Sequence, residues 1–217
     1  MSKTSLLVQQ FGGIDIYLFD QLLRGRIGPG MRIVDAGCGG GRNLVYLLRM
    51  AAAGEVEVYG NDADASVIDA VRRMASAIAP SCPPENFRNE KIEESSFGPA
   101  FADVVISSAV LHFARSDSHF LAMLTAMWEI LKPGGLFFCR LASSIGTADQ
   151  VVRLQEHRYL LPDGSERYLV DAKTLYELTD RLGAHLLDPL KTTVVQDQRS
   201  MTTWVLRKNP RSTGEVL

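Results

Sequence analysis

Apolar and polar residues follow two different periods along this chain. Short apolar runs, which are typical of buried strands, alternate with stretches in which apolar residues recur every three or four positions, which is typical of helices. The runs lie at 31–37, 56–62, 87–89, 102–110 and 136–142, and the predicted helices at 42–52, 64–79 and about 117–131. Because strands and helices alternate, the pattern predicts an α/β fold with a mostly parallel sheet and helices on both faces.

The chain on either side of this core shows further elements. An amphipathic segment at 14–24 predicts a helix before the first strand. Beyond residue 142 the pattern predicts a hairpin at 158–170 around Pro162-Asp163-Gly164, a helix that Asp171 caps, and strands at 188–195 and 201–208. The link between these last strands is short, so we expect them to pair antiparallel.

Composition and charge exclude several classes of protein. The chain has 217 residues, 46% hydrophobic and 22% charged, with a net charge of −2, so it offers no strongly basic surface for nucleic acid. The cysteines Cys38, Cys82 and Cys139 are far apart, which disfavours a disulfide framework and a zinc ribbon. No apolar run is long enough for a membrane span, and the N-terminus does not resemble a secretory signal. We therefore expect a cytoplasmic protein without nucleic-acid or membrane partners and without a metal.

The strongest chemical feature is a glycine-rich loop after the first predicted strand. Asp35 ends that strand, and Gly37, Cys38, Gly39, Gly40 and Gly41 follow it into a helix. Glycine lets the backbone approach a ligand closely, and a helix start presents free N–H groups. An ordinary glycine-rich turn is the alternative explanation.

Two common nucleotide motifs do not fit this loop. A dinucleotide fingerprint would need glycine or alanine at position 42 or 44, where the chain has Arg42 and Leu44. A phosphate-binding P-loop would need the tripeptide GK[ST], which the sequence lacks. A nicotinamide-dependent oxidoreductase is therefore disfavoured, and the loop suits a cofactor with an amino-acid end.

Asp62 is the second candidate ligand. It ends the second predicted strand, where a carboxylate can accept hydrogen bonds from both hydroxyls of a bound ribose. The alternative role is a helix cap, for which Asp64 is better placed.

Taken together, these motifs resemble the class I S-adenosylmethionine-dependent methyltransferases. The resemblance is carried by VDAGCGGGRN (34–43), YGND (59–62), ADVVISSAVLHF (102–113) and ILKPGGLFF (130–138). It implies a Rossmann-like, seven-stranded, mostly parallel sheet with an antiparallel last strand, and S-adenosylmethionine as cofactor. It also implies in-line methyl transfer to a small molecule by a monomer or homodimer. The alternative is a non-catalytic S-adenosylmethionine-binding partner or sensor protein.

The resemblance also assigns roles along the chain. It divides one domain, 1–217, into a lid helix (1–30), a cofactor-binding core (31–142), a substrate-side hairpin with closing strands (143–208) and a flexible tail (209–217). The implied cofactor contacts are Tyr17, Asp35, Gly37, Cys38, Gly39, Arg42, Asn43, Asp62, Ala63, Lys91, Ile92 and Ser107. Lys91 stands where the family usually has an acid, so the adenine contacts at Lys91 and Ile92 are expected mainly through the main chain.

Catalytic and substrate residues are less constrained. His112 has the intrinsic pKa of a general base, although a structural hydrogen-bonding role is the alternative. His119 and His185 are expected on the surface without a metal. The expected lid side chains are Phe11, Tyr17 and Phe19, and the expected substrate contacts are Arg140, His157, Arg158, Tyr159 and the hairpin. Arg140 would suit an anionic substrate. The chain shares a few residues with tellurite-resistance and quinone-biosynthesis methyltransferases, which leaves the acceptor open.

Overall fold

The computed structural model describes residues 3–210, which form one large sheet flanked by helices and one small sheet. The helices are α1 (Lys3–Phe11), α2 (Ile16–Leu23), α3 (Leu44–Ala52), α4 (Ala65–Ile78), α5 (Asp117–Ile130) and α6 (Ala172–Arg181). The strands are β1 (Arg32–Ala36), β2 (Glu57–Asp62), β3 (Phe87–Asn89), β4 (Ala102–Ser108), β5 (Leu131–Ala142), β6 (Val152–Gln155), β7 (Arg158–Leu160), β8 (Glu166–Tyr168), β9 (Ala184–Leu186), β10 (Lys191–Val195) and β11 (Arg199–Lys208). Most of the predicted tail, from residue 211 onward, lies outside the described residues.

The large sheet has the order β10-β11-β5-β4-β1-β2-β3, and β9 pairs with β11 beside that path. Strands β1 to β5 pair in parallel. By contrast, β11 pairs antiparallel with β5, β9 and β10. The predicted Rossmann-like sheet with an antiparallel last strand is therefore confirmed, and the short strand β9 is added to it.

Strand β1 lies where the chain order reverses. It pairs with β2 on one side and β4 on the other, so the connections leave it in opposite directions. In open α/β sheets, such a reversal leaves a crevice at the carboxyl ends of the strands, and ligands bind there. The glycine-rich loop that follows β1 lies at this point.

Buried apolar side chains cover both faces of the sheet. Val34 and Val105 contribute to a cluster on one face, and Ile33 and Val104 to a cluster on the other. Successive residues of a strand point to opposite faces, so a strand buried on both faces needs a continuous apolar run. This packing fixes the strand ends that carry the crevice.

Two helix starts confirm the predicted capping residues. The Asp64 side chain accepts from the backbone N–H groups of Ser66 and Val67 at the start of α4. The Asp171 side chain accepts from Thr174 N at the start of α6. Asp64 therefore performs the capping role, which leaves Asp62 for another.

The structure differs from the predicted elements in three places. The N-terminal segment holds two helices instead of one, because the chain turns at Gly12, whose φ is +63°. Strand β5 begins at Leu131, which pairs with Ala102, and residues 132–135 bulge before the ladder resumes. Strand β6 was not predicted, because it is only four residues long and all four are exposed.

Candidate active site

The glycine-rich loop is held against the end of β2 by hydrogen bonds. Gly37 N and Cys38 N both donate to the carbonyl oxygen of Asn61, each over 2.9 Å. Gly39 N donates to Asp62 Oδ2 over 2.9 Å, and Asp64 N donates to Asp62 Oδ1 over 3.0 Å. Each carboxylate oxygen retains acceptor capacity, so Asp62 is fixed at the loop and can still bind a ligand.

Two glycines of the loop have different reasons to be glycine. Gly37 has a φ of +72°, and a Cβ atom there would lie 2.8 Å from Val110 Cγ2. Gly39 has a φ of +50°, and a Cβ atom there would meet no protein atom within 4 Å. Gly37 is therefore required by packing, whereas Gly39 leaves its backbone open to the crevice.

A cavity of about 300 Å³, hereafter the loop cavity, lies beside this loop. It brings together six predicted cofactor residues, namely Gly37, Cys38, Gly39, Arg42, Asn43 and Asp62. Sequence reasoning did not assign five of its lining residues to the cofactor site: Gly40, Ser108, Ala109, Val110 and Phe113. Ser108 ends β4 and the last three follow it, all within the motif at 102–113 that the sequence singles out.

The two serines at the end of β4 lie in different surroundings. Ser107 is fully buried in the sheet, and Ser108 lines the loop cavity instead. Neighbouring residues of a strand face opposite sides, so a one-residue difference decides which serine reaches the cavity. Ala63, another predicted contact, follows Asp62 at an exposed position outside the lining.

The predicted adenine contacts also lie outside the cavity lining. Lys91 Nζ pairs with Glu94 Oε1 over 2.8 Å on the surface. Ile92 is buried, and its Cδ1 atom lies behind the loop, 3.3 Å from the position of a Cβ atom on Gly37. Ile92 thus supports the loop from the core side.

Asp35 is a buried carboxyl group beneath the loop. Its Oδ2 atom has no hydrogen-bond partner among the described residues. Burial raises the pKa of Asp35 to about 7, and the charge of Asp62 adds to this effect while that of Arg42 opposes it. A buried carboxylate without a partner is unfavourable, which is the physical reason for the raised pKa. Asp35 itself lies outside the lining of the loop cavity.

Asp15 fastens the N-terminal segment to the site. Its buried carboxylate accepts from Arg140 Nη1 over 2.9 Å, and Arg42 Nη2 lies 3.4 Å away. Its backbone N–H donates to Asn43 Oδ1 over 3.0 Å. Sequence reasoning missed Asp15, and the only local signal was its place directly before the apolar start of α2.

The expected lid aromatics anchor this segment rather than cover a cavity. Phe11 packs against Phe19 and against Tyr46 of α3, with ring centroids 5.1 Å apart in each pair. The Tyr17 hydroxyl lies 2.9 Å from Thr193 Oγ1 of β10. Phe11, Tyr17 and Phe19 are absent from the linings of the loop cavity and its neighbour.

The neighbouring cavity, hereafter the arginine cavity, has a volume of about 250 Å³. Arg42 and Ala109 line both cavities, so the two share a wall. The other lining residues of the arginine cavity are His112, Arg140, Ala142, Leu161, Asp163, Ser165, Arg167, Val195, Arg199 and Met201. Arg140 and the predicted hairpin are therefore brought to the site.

Three predicted substrate residues are held elsewhere. His157 Nδ1 lies 2.8 Å from Asp117 Oδ1, and Arg158 forms an ion pair with Glu166. Tyr159 packs beside a small apolar cluster. These residues stabilise the hairpin and lie outside the lining of the arginine cavity.

His112 is buried with its ring nitrogens in defined roles. Ala142 N donates to His112 Nδ1 over 3.3 Å, so Nδ1 is the unprotonated acceptor. Burial lowers the pKa of His112 to about 4, and the charge of Arg167 contributes. The neutral ring therefore carries its proton on Nε2, which can donate a hydrogen bond but cannot take up a proton as a base. This arrangement disfavours a general-base role for His112 and favours the structural alternative, and the role itself stays a prediction.

Two further features concern metals and membranes. Within residues 3–210, no group of three or more His, Cys, Asp or Glu side chains is arranged to hold a metal ion. His119 Nε2 lies 3.2 Å from Glu93 Oε1, and His185 Nδ1 lies 2.9 Å from Asn209 Oδ1. None of the helices in the described part of the chain has the length and hydropathy needed to span a bilayer.

Comparison with known sequences finds a matching family and several relatives. Residues 33–135 match a family described as "Methyltransferase domain". A ubiquinone biosynthesis O-methyltransferase of Cereibacter sphaeroides is 30% identical over 171 residues, which cover 74% of this chain and 62% of that protein. The chain thus spans less than two thirds of the length of the curated relatives it first matches.

Solved structures with the same fold carry different activities. The 1,6-didemethyltoxoflavin-N1-methyltransferase of Burkholderia thailandensis, solved with 1,6-didemethyltoxoflavin and S-adenosylhomocysteine, has a TM-score of 0.65 at 16% identity, covering 95% of this chain and 86% of that one. The [4+2]-cyclase SpnF has a TM-score of 0.66 at 14% identity, covering 89% of this chain and 81% of that one. At these identities the likeness shows the fold, so the activity has to be argued from the site.

Proposed function

We infer that this chain is a class I S-adenosylmethionine-dependent methyltransferase, as its match to a methyltransferase domain and its relatives support. It would transfer a methyl group from S-adenosylmethionine to a small-molecule acceptor. The observation that carries the proposal is the shared wall of the two cavities. A cofactor bound in the loop cavity and an acceptor bound in the arginine cavity would meet at Arg42 and Ala109. Two adjoining cavities are what a reaction between two bound molecules requires.

The loop cavity suits the cofactor. Asp62 keeps acceptor capacity for two ribose hydroxyls, and the open backbone at Gly39 allows close approach of the ligand. Asp35 is buried beneath the loop and outside the cavity lining, so its carboxyl would act on the ammonium group of the methionine part through charge and without direct contact. When bound, S-adenosylmethionine supplies a methyl group on a sulfonium centre, which is activated for displacement without help from the protein.

We retain Gly37, Cys38, Gly39, Arg42, Asn43 and Asp62 as cofactor contacts, and we add Gly40 and Ser108. Asp35 would act from beneath the loop. Tyr17, Ala63, Lys91, Ile92 and Ser107 take no direct contact in this proposal, because they lie outside the cavity lining. Residues 31–142 thus hold the cofactor, and residues 143–208 supply most of the acceptor side.

The protein's part in the reaction is alignment and exclusion of water. Asp15 holds Arg42 and Arg140 in place, and these two arginines line the acceptor side of the shared wall. Nε2–H of His112 would donate to the acceptor and orient it, without removing a proton. An acceptor whose nucleophile is already deprotonated at neutral pH needs no general base.

We place the enzyme in the cytoplasm as a monomer or homodimer. The three cysteines are buried and free of disulfides, which agrees with a reducing compartment.

Calorimetry with S-adenosylhomocysteine tests the cofactor site, and release of S-adenosylhomocysteine from S-adenosylmethionine across an acceptor panel tests turnover. We expect binding and acceptor-dependent release. Binding without turnover across the whole panel would favour a non-catalytic binding protein, and absence of binding would reject both. Protection against heat by NAD(H) in place of S-adenosylhomocysteine would indicate an oxidoreductase.

A further inference from the structure

We propose that the arginine cavity recognises its acceptor through an anionic group, such as a carboxylate, bound by Arg167 and Arg199. This inference rests on the proposed methyl transfer, because it treats the arginine cavity as the acceptor site. It goes further by naming the chemical class of the acceptor and the two side chains that select it.

The lining of the cavity is strongly unbalanced in charge. It contains four guanidinium groups, those of Arg42, Arg140, Arg167 and Arg199, and a single carboxylate, that of Asp163. The whole chain, by contrast, has a net charge of −2. Positive charge is therefore concentrated at this cavity, which attracts anions and repels cations.

The four arginines fall into two pairs. Arg42 and Arg140 share the buried carboxylate of Asp15, so a large part of their charge is already neutralised. Neither Arg167 nor Arg199 forms an ion pair with a carboxylate of residues 3–210. Arg167 Nη1 donates only to the carbonyl oxygen of Glu166, and its guanidinium lies 5.0 Å from the centroid of the Phe113 ring. This second pair is available to a ligand.

Asp163 lies near the second pair of arginines but forms no ion pair with either of them. Ser165 donates to Asp163 Oδ1 from its backbone N–H and its hydroxyl, over 2.9 and 2.6 Å. These bonds are the main cause of the lowered pKa of Asp163, and the charges of Arg167 and Arg199 add to them from a greater distance. Asp163 therefore organises the turn of the hairpin, and both arginines lie within electrostatic range of the same point.

Two further groups of the cavity lining are donors. Arg140 Nε is buried without a partner among the described residues, and Nε2 of neutral His112 carries a proton. An oxyanion accepts several hydrogen bonds at once, and arginine binds carboxylates through two parallel N–H groups. A cavity with an excess of donors and of positive charge matches that chemistry.

Titration of matched small probes tests the proposal. Benzoate and benzamide have the same shape and differ in charge, and inorganic phosphate is an oxyanion without an organic frame. Each is titrated by calorimetry into the full chain, with and without saturating S-adenosylhomocysteine. We expect benzoate to bind on the order of tenfold more tightly than benzamide. If phosphate binds as tightly as benzoate, the site recognises the oxyanion itself. If phosphate binds more weakly, the site recognises an organic carboxylate.

The variant Arg167→Gln/Arg199→Gln should abolish the preference for benzoate over benzamide. The matched control, Arg73→Gln/Arg181→Gln, removes two exposed arginines from α4 and α6 and should retain the preference. Arg167→Lys/Arg199→Lys should recover part of it, since the charge is kept. Circular dichroism verifies that each variant is folded.

Three results would overturn the proposal: equal binding of benzoate and benzamide, no binding of either anion, or an unchanged preference in Arg167→Gln/Arg199→Gln. Binding of S-adenosylhomocysteine is scored separately. If it binds while the anions do not, the anion proposal fails alone. If arginine-dependent anion binding is found without binding of S-adenosylhomocysteine, the proposed methyl transfer fails and the anion site remains.

Discussion

Asp15 Oδ2 lies 2.9 Å from Arg140 Nη1, although the two residues are 125 positions apart in the sequence. The Asp15 side chain is fully buried, and Arg140 extends from β5. Breaking one side of a buried ion pair leaves an uncompensated charge in a medium of low polarity. The pair therefore fixes the N-terminal segment to the acceptor side of the site.

The variant Asp15→Asn should lose about 3 kcal/mol of unfolding free energy, because Arg140 would keep its charge without its partner. Urea denaturation measures this loss. The control is Asp20→Asn, whose carboxylate pairs with a half-exposed Arg24 and should matter little. Equal losses in the two variants would contradict the anchoring role of Asp15.

The variant Asp62→Asn should weaken binding of S-adenosylhomocysteine by about 1–3 kcal/mol, since the amide replaces one acceptor oxygen with a donor. Calorimetry measures the affinity. Asp64→Ala is the control, because Asp64 caps α4 from an exposed position two residues away. It should lower stability modestly and leave the affinity unchanged. Unchanged affinity in Asp62→Asn would show that another carboxylate binds the ribose.

Asp35 should make stability fall as the pH rises. Its folded-state pKa is about 7 against an ordinary value of 3.8, so the folded chain binds the proton more tightly than the unfolded chain. The stability linked to that proton is present at low pH and is lost between about pH 4 and pH 7. Between pH 5 and pH 8, the unfolding free energy of the unaltered protein should therefore fall by on the order of 3 kcal/mol relative to that of Asp35→Asn.

Urea denaturation at the two pH values measures this difference, with Asp69→Asn on the surface of α4 as the control. If the unfolding free energies of Asp35→Asn and the unaltered protein change equally with pH, burial does not raise the pKa of the Asp35 carboxyl. The same variant should bind S-adenosylhomocysteine more weakly, because it lacks the negative charge.

Gly37→Ala and Gly39→Ala should fail in different ways. A methyl group at Gly37 would meet Val110 at 2.8 Å, so this variant should be destabilised by about 2–3 kcal/mol. A methyl group at Gly39 meets no protein atom, so backbone strain of about 1 kcal/mol is the main effect on the unliganded protein. Binding of S-adenosylhomocysteine should nevertheless fall strongly in Gly39→Ala. Normal binding there would place the ligand away from the loop.

His112 should make stability fall as the pH drops. Burial lowers its folded-state pKa to about 4 from an ordinary 6.5, so the unfolded chain binds the proton more readily. Its contribution is complete above pH 6.5 and is lost as the pH falls toward 4. Between pH 7 and pH 4.5, the unfolding free energy of His112→Gln should fall by on the order of 2 kcal/mol less than that of the unaltered protein.

Enzyme kinetics give a second test of His112. Its ring stays neutral throughout the range, so the rate with a true acceptor should show no titration from His112 between pH 6 and pH 9. A rate that rises with a pKa near 6.5 in the unaltered protein, and not in His112→Gln, would restore the general-base role.

Much of the fold and the cofactor side could be predicted from local sequence. The strand runs, the glycine loop and Asp62 depend on periodicity and on short motifs, which the chain displays directly. The sequence does not show which of Ser107 and Ser108 faces the loop cavity. Pairing and burial decide which face of the strand each serine lies on, and a run of apolar residues does not reveal this.

The acceptor side could be predicted only in outline. Arg140 was proposed for it, but its partner Asp15 was not, because nothing in the sequence links positions so far apart. Arg167 and Arg199 reach the arginine cavity through the pairing of β7 with β8 and of β10 with β11. Their common location depends on how the small sheet packs against the large one, which local patterns do not specify.

The wall that the two cavities share has a consequence for how this protein could diversify. A substitution at Arg42 or Ala109 would disturb cofactor and acceptor together, and Ala109 already adopts a φ of +65° that few side chains tolerate. The hairpin and the β10–β11 turn border only the arginine cavity. Under the proposed function, descendants of this sequence could therefore exchange one acceptor for another by mutating those peripheral segments, while the loop cavity stays unchanged.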